Sequence, residues 1–468
     1  MIVRTLAAAL LASAAFAPAS AQTIRADQSA FRALYQELVE TNTTLSVGSC
    51  TDAAAKMGAR LKAAGFADAD ITYFSTPEHP KEGGLVAVLK GSDDRIKPML
   101  LLAHVDVVEA KREDWTRDPF KLIEENGFFY ARGVMDDKAM AAIWTDAMIR
   151  FRKEGYKPKR TIKLALTCGE ETSYAFNGAQ WLTRNRPDLI AAEFALNEGG
   201  GGRLDPDGKK VALAIQIGEK AVQNYRIEAT NPGGHSSRPV PDNAIYELAD
   251  ALRAVRSYEF PAKFTDTTRA FFTQTGKTVG GEMGAAITTL LANPGDSAAD
   301  KIVSSDATFH STLRTTCVAT LLDGGHANNA LPQRAGANIN CRIFPGETNE
   351  TTSTALKTAI NDPKITLTLV PPLRPIAKPP ALDPKIIGPA TAVAAKHFPG
   401  VPILPMMSTG ATDGIFLEAI GIPVYGVPGI FAETDFNGIH GLNERLRVRS
   451  LYEGRDYLYD LVKMYAAK

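Results

Sequence analysis

Two histidines and a set of paired carboxylates are the residues here whose types and spacing could do chemistry. The apolar run LLLAHVDVV carries His104 and Asp106 two positions apart. Alternate side chains of a strand share a face, so the carboxylate stands where it could orient an imidazole that ligates a metal. YARGVMDDKAM sets Asp136 beside Asp137 in a turn between a strand and a helix. Their repulsion and desolvation call for cations, of which Lys138 is the nearest candidate. TIKLALTCGEETS ends a buried strand with Glu170 and Glu171; their side chains should diverge, leaving one to bind a metal while the other takes a proton from a metal-bound water. EFALNEGGGG ends in Glu198 and four glycines that would let backbone approach the site closely, and NGIHGLNER sets His440 in a Gly-flanked loop. Singly, each has an ordinary explanation: a structural histidine, a solvated helix start, a charged loop tip. Together they make an N/O ligand set suited to zinc. An Asp between two metals, with one His and one Glu on each, would let them share a water and lower its pKa.

These residues fall at the ends of apolar strands, where an open α/β sheet builds its active site. GLVAVLK, PMLLLAHVDVV, TIKLALTCG, EFALNEGG and IPVYGVPG read as short buried strands, and AMAAIWTDAMIRFRKEG as an amphipathic helix between two of them. FRALYQELVE and DAAAKMGARLKAAGF predict a helical opening. The sum is a doubly wound α/β domain. The middle differs. AVQNYRIEAT alternates like a half-exposed strand, DNAIYELADALRAV is helical, and ATFHSTLRTTCVATLL and GANINCRIF read as strands around a turn-rich DGGHANNALPQ. The expected organisation is a signal segment over 1–21, a first catalytic part over 22–217, an inserted α+β unit over 218–344 and a second catalytic part over 345–468. PPLRPIAKPP reads as a stiff surface connection within the last.

The 468 residues carry no net charge and no Lys/Arg cluster, so nucleic acid and anionic membrane are not expected partners. The opening MIVRTLAAALLASAAFAPASA has the pattern of a secretory signal cut after Ala21, which predicts a periplasmic or secreted protein. The four cysteines are too scattered for a disulfide framework or a metal site. Cys317 with Cys341 is the best candidate bridge if their segments pair as neighbouring strands, and buried free thiols are the alternative.

The motifs together resemble the M20 family of metallopeptidases over essentially the whole chain after the signal segment. The family's HxD motif matches His104-Val105-Asp106, RGxxDDKG matches Arg132 to Lys138, the Glu-Glu pair matches Glu170 and Glu171, (D/N)EG matches Asn197 to Gly199, and HGxNE matches His440 to Glu444. The resemblance implies two zinc ions, replaceable by cobalt or manganese, on His104, Asp136, Glu171, Glu198 and His440, with Asp136 bridging. It implies Glu170 as general base and Asp106 as the residue that orients a ligand. NPGGHSSRP resembles the family's lid and dimerisation motif, which makes His235 an oxyanion donor, often delivered from the partner subunit of a homodimer. By the same likeness Asn329, Arg342 and the loop around Thr409 and Gly410 would hold the substrate carboxylate. Ala139 stands where the family commonly has Gly, and Cys168-Gly169 where an acidic residue often precedes the Glu pair. The expected activity is cleavage of an amide beside a free carboxylate, as a carboxypeptidase or dipeptidase. An N-acyl amino acid deacylase is the alternative, and an inactive periplasmic binding protein of the same fold the distant one.

Overall fold

The computed structural model describes residues 25–172 and 176–467; the expected signal segment and its cleavage point lie outside them. Among the described residues, ten strands form the main sheet in the order Ile71–Thr76, His79–Leu89, Ile162–Thr167, Met99–His104, Phe194–Asn197, Val424–Gly426, Lys210–Glu219, Gly201–Leu204 and Phe431–Ala432, with Ile403–Ser408 also paired to Lys210–Glu219. Its centre, from Ile162–Thr167 to Val424–Gly426, is parallel. Alternation along the strand explains the layering: Leu101 and Ala103 face one apolar core, Leu100 and Leu102 another. The helices Ala26–Val39, Cys50–Ala63, Lys138–Lys153 and Val448–Ala466 cover the first face. Lys138–Lys153 was expected to be amphipathic. In place it is buried on nearly every side, because neighbouring helices enclose the flank that would otherwise meet water.

The smaller domain is a four-stranded antiparallel sheet ordered Thr316–Gly324, Arg334–Ile343, Ala221–Thr230, Ile365–Val370, backed by helices Ala244–Ser257 and Asn349–Ile360. The boundary expected at 344 is therefore too early. Strand Ile365–Val370 pairs with Ala221–Thr230 from Ala229 to Asn224, so the chain leaves this domain only after Val370. The misreading has a simple cause, since Ile365–Val370 alternates as a half-buried strand that would suit either sheet. The stretch ATFHSTLRTTCVATLL is likewise not one strand. Asp306 caps a helix over Ala307–Leu313 by accepting from the Phe309 N–H, and the strand begins at Thr316. The helices Asp266–Val279, Gly281–Ala292 and Ser297–Val303 close a third small core around Phe272, Ile287 and Leu290.

Both cysteine pairs are bridged, Cys50 to Cys168 and Cys317 to Cys341. The second joins directly opposed residues of adjacent strands; the first ties the start of helix Cys50–Ala63 to the segment leading to Glu170. No helix among the described residues is long and apolar enough to cross a membrane.

Candidate metal centre

The carboxyl ends of the central strands converge. His104 closes Met99–His104, Glu170 and Glu171 follow Ile162–Thr167, and Glu198 follows Phe194–Asn197. Asp136 and Asp137 precede helix Lys138–Lys153. His104 Nε2 lies 3.1 Å from Asp136 Oδ1 and 3.6 Å from Glu198 Oε1. His440 Nε2 lies 3.2 Å from Asp136 Oδ2 and 2.9 Å from Glu171 Oε1. Each oxygen of Asp136 thus addresses a different histidine, and each histidine has its own glutamate: two half-cages around one shared carboxylate. The ligand atoms of His104, Asp136 and Glu171 lie within 4.8 Å of one another, as do those of His104, Asp137 and Glu198.

Supporting contacts fix these positions. His104 Nδ1 sits 3.1 Å from the Asp106 carbonyl oxygen and 3.5 Å from its Oδ1. The backbone is the nearer orienter, and the Asp106 carboxylate also accepts from the Glu171 N–H at 3.0 Å and the Glu170 N–H at 3.4 Å. Sequence reasoning missed Glu444 and Arg132 as a unit. Buried Glu444 accepts from the N–H groups of Gly133, Met135 and Asp136 and from Arg132 Nη1 at 2.9 Å, while Arg132 Nη2 reaches the Gly441 carbonyl at 2.8 Å. The pair binds the Asp136 turn to the His440 loop; both residues stand inside the quoted motifs, but spacing alone gave them no partner. That loop holds Phe436, Asn437, His440 and Asn443 at φ between 55° and 60°, a left-handed conformation that costs non-glycine residues and is retained where surroundings over-determine it. Lys138 does not serve the aspartates: its ammonium turns to the Thr41 carbonyl at 2.7 Å. The glycines after Glu198 pack against a neighbouring strand, where a Cβ on Gly200 would meet the Ala214 carbonyl. Gly199, at φ +95°, reverses the chain against Gln216 of the neighbouring strand.

The electrostatics ask for cations. Burial would push the His104 imidazole down, yet Glu198, Asp106 and Asp136 hold it well above its ordinary value. Hydrogen bonds to Asp136 and Glu171 raise His440 to about 10. Burial opposes ionisation of Asp136, but His104 and His440 keep its carboxyl below the usual range. Burial pushes Glu170, Glu198 and Asp137 well up, and Asp137 Oδ2 is buried without a hydrogen-bond partner. A buried cluster with this excess of carboxylate over imidazole is neutralised either by protons or by metal ions, and its N/O donors fit zinc, cobalt or manganese.

The other expected residues sit elsewhere. His235 and Asn329 are exposed on the smaller domain, linked by Gly234–His235 pairing with Ala330–Leu331 and by the Ser236 N–H to the Asn329 carbonyl at 3.1 Å. His235 Nδ1 accepts from the Ser237 N–H at 3.1 Å, and no described contact joins it to the cage. Arg342 ends strand Arg334–Ile343, half-buried and within electrostatic range of Glu170. Thr409 and Gly410 follow Ile403–Ser408; the Gly410 N–H is taken by Ser408 Oγ at 3.0 Å, so that backbone donor is already occupied.

A mixed sheet with a parallel centre and an acid-rich two-lobed ligand cage at its carboxyl edge, with a smaller domain inserted beside it, has the form of a metal-dependent hydrolase. Residues 100–464 match the peptidase family M20/M25/M40, and the chain belongs to that family, whose members hydrolyse amide bonds. It is 29% identical over 405 residues to the human N-fatty-acyl-amino acid synthase/hydrolase PM20D1, covering 84% of this chain and 79% of that one. Its fold matches the M20 family metallo-carboxypeptidase Sso-CP2 of Sulfolobus solfataricus with a TM-score of 0.69 at 19% identity, over 93% of this chain and 99% of the other. It also matches the Bacillus subtilis YXEP protein, described as a dinuclear metal binding peptidase, with a TM-score of 0.59 at 14% identity, over 94% and 99%.

Proposed function

We propose that this chain is a two-zinc hydrolase that cleaves an amide whose amine side carries a carboxylate. The observation that carries the proposal is Glu170: a half-buried carboxylate next to Glu171 at the strand end, within electrostatic range of His104 and Arg342 and in no ion pair among the described residues. His104, Asp136 and Glu198 would hold one ion, and His440, Asp136 and Glu171 the other. The ions would supply Lewis acidity toward the amide carbonyl and an acidified water. Glu170 takes the proton from the attacking water and returns it to the leaving amine, and its burial, which favours the protonated form, suits both halves of that task. Asp106 keeps the His104 ring and the Glu170 backbone in register. Arg342 fixes the substrate carboxylate, and His235 donates to the carbonyl oxygen as charge develops there.

The smaller domain has room for a partner. Thr316–Gly324 is an edge strand exposing Val318, Leu321 and Leu322, with Ile245 and Tyr246 of the adjacent helix also exposed. An exposed apolar edge invites pairing with a second copy, and a homodimer would bring the partner's lid to this cage. Two disulfides support export to an oxidising compartment, as does the sequence of the first 21 residues.

Carboxypeptidase or dipeptidase action is the first reading. N-acyl amino acid deacylation is the second, favoured by the relative that bears that activity in its name. Zinc-loaded protein assayed on dipeptides, longer peptides and short- and long-chain N-acyl amino acids tests both. Cleavage confined to acyl substrates overturns the peptidase reading, and no cleavage of any carboxylate-bearing amide overturns the whole proposal.

A further inference from the structure

The two disulfides differ in what else holds their ends. Cys317 and Cys341 are opposed residues of a backbone ladder that fixes them with or without a bridge. Cys168 has no such ladder. Its strand is last paired at Thr167, opposite His104, and the residues that follow, Glu170 and Glu171 among them, run outside the sheet. Gly169, at φ +94°, turns the chain against the Phe176 carbonyl, which a Cβ there would strike. The Gly178 N–H donates to the Cys168 carbonyl at 2.7 Å and Asn177 Nδ2 to the Gly169 carbonyl at 3.0 Å, while the Glu170 and Glu171 N–H groups reach Asp106. The bridge to Cys50 adds the covalent hold.

Cys50 is a firm post. It begins helix Cys50–Ala63, where Ser49 caps by accepting from the Asp52 N–H and where Ala53, Met57 and Leu61 are buried in the main core. The loop leading into that helix bonds to the chain between His104 and Asp106, Thr43 Oγ1 donating to the Val105 carbonyl at 2.6 Å. The bridge therefore sets the Glu170–Glu171 segment against His104 and Asp106 at once. The Asp106 carboxylate and both sulfurs lie within 4.8 Å of one another. A disulfide offers that carboxylate no donor, whereas two thiols would offer S–H groups in competition with the Glu170 and Glu171 N–H groups. The cysteines are buried but line a cavity of about 190 Å³ whose wall includes exposed Leu45, Pro80 and Lys81, which gives a small reductant a way in.

Resting on the hydrolase reading above, we propose that Cys50 and Cys168 are positioning residues for the reaction. Their bridge sets Glu170 for proton transfer and Glu171 in its half-cage, and reduction through the cavity releases both while the fold stands. A dithiol supplies the two electrons. Its thiolate attacks one sulfur, its second thiol then closes the reductant's own disulfide, and both cysteines are left as thiols carrying the protons the reductant gave up. The hydrogen bonds that remain keep the segment near its place, but not within the fraction of an ångström that ligation and proton transfer need.

The test uses a Cys317→Ser/Cys341→Ser background, which leaves Cys50 and Cys168 as the only cysteines. Zinc-loaded protein is reduced with a phosphine, whose phosphorus takes the oxygen of a water while that water's hydrogens go to the two thiols, and is then desalted and assayed. Turnover, kcat, should fall about tenfold to a hundredfold with KM held within about twofold. The second zinc should bind about tenfold more weakly while the first is retained, and the melting transition should stay above the assay temperature. Reoxidation with glutathione disulfide should restore turnover and zinc content together. Adding Cys50→Ser/Cys168→Ser should reproduce the reduced form and abolish the response to phosphine; where that variant does not fold, the reversible reduction still decides. Unchanged kcat and zinc affinity in the reduced protein overturn the proposal, and so does kcat lost only in step with unfolding. Weakened second-zinc binding in protein that cleaves no amide would instead overturn the hydrolase reading and leave the anchor standing.

Discussion

On the main sheet, the residues of the cage are pinned by neighbours: His104 by Asp106, the Asp136 turn by Glu444, and the His440 loop by Arg132. On the smaller domain the residues that would touch substrate have few side-chain partners among the described residues. His235 and Asn329 are exposed and contact chiefly each other's loops, and Arg342 has no partner among the described residues. A metal cage must exist before substrate arrives, since displaced ligands cost affinity and misplace the reacting water. Groups that close on substrate need the opposite, an unsatisfied valence in the free protein. Mutations in the two regions should therefore fail differently: in the cage by losing chemistry or structure, and in the lid by losing activity while the fold is untouched.

The sharpest test of the cage is Glu170→Gln, which keeps shape and removes the proton acceptor. The expected loss in kcat is about a thousandfold or more, within the usual range for a general base, with metal content unchanged by elemental analysis. Zinc lost along with activity would move Glu170 into the ligand set. The lid is next. His235→Ala should cost about a hundredfold to a thousandfold, the worth of one oxyanion donor, with the melting temperature unmoved because the side chain is exposed. Co-expressing Glu170→Gln with His235→Ala decides where the histidine acts. If it serves the neighbouring subunit, random pairing yields mixed dimers with one intact site, and activity returns to about a quarter of wild type. A mixture as dead as its components would place His235 in its own subunit's site.

The same division governed what the sequence disclosed. Strand ends were legible because buried parallel strands are unbroken apolar runs, and several charged residues each closing such a run, as Glu170 and Glu198 do, point together to one site. Partnerships between distant loops were not. Nothing in the spacing of Arg132 and Glu444 announces that one carboxylate collects three backbone N–H groups from the other motif. Lys138, the obvious local counter-ion, was misjudged for the same reason, since its acceptor is a carbonyl almost a hundred residues away in sequence. In the smaller domain, strand Ile365–Val370 hid behind a proline-rich exit, and the helix over Ala307–Leu313 behind β-branched neighbours. The bridge between Cys317 and Cys341 depended on strand register, which alternation could suggest, while that between Cys50 and Cys168 joins a helix to a strand end and had no local sign.

The smallest effect expected concerns an acid of the main domain that is pinned by neutral donors. Glu219 is buried and accepts from the Thr412 N–H at 3.1 Å, Thr412 Oγ1 at 2.9 Å and Gln216 Nε2 at 3.1 Å, and is in no ion pair among the described residues. Burial raises its carboxyl to about 7 against the opposing Thr412 hydrogen bonds. A folded-state value above the unfolded one means that Glu219 contributes stability fully present below the unfolded value near 4.5 and lost as pH rises through about 7. Glu219→Gln removes that titration and keeps an acceptor for the Thr412 N–H, while Gln216 can flip to accept from the new amide; Thr412 Oγ1, which already accepts from Asn197 and Gly414, loses its acceptor at every pH alike. Between about pH 5.5 and 8.5, denaturant unfolding should therefore show wild type losing roughly 1–3 kcal/mol relative to the variant. Because Thr412 Oγ1 also accepts from Asn197, next to Glu198, that loosening sits directly beneath the cage. Parallel pH profiles for the two proteins would mean that Glu219 stays charged in the folded protein throughout, and that its neutral donors suffice to hold it so.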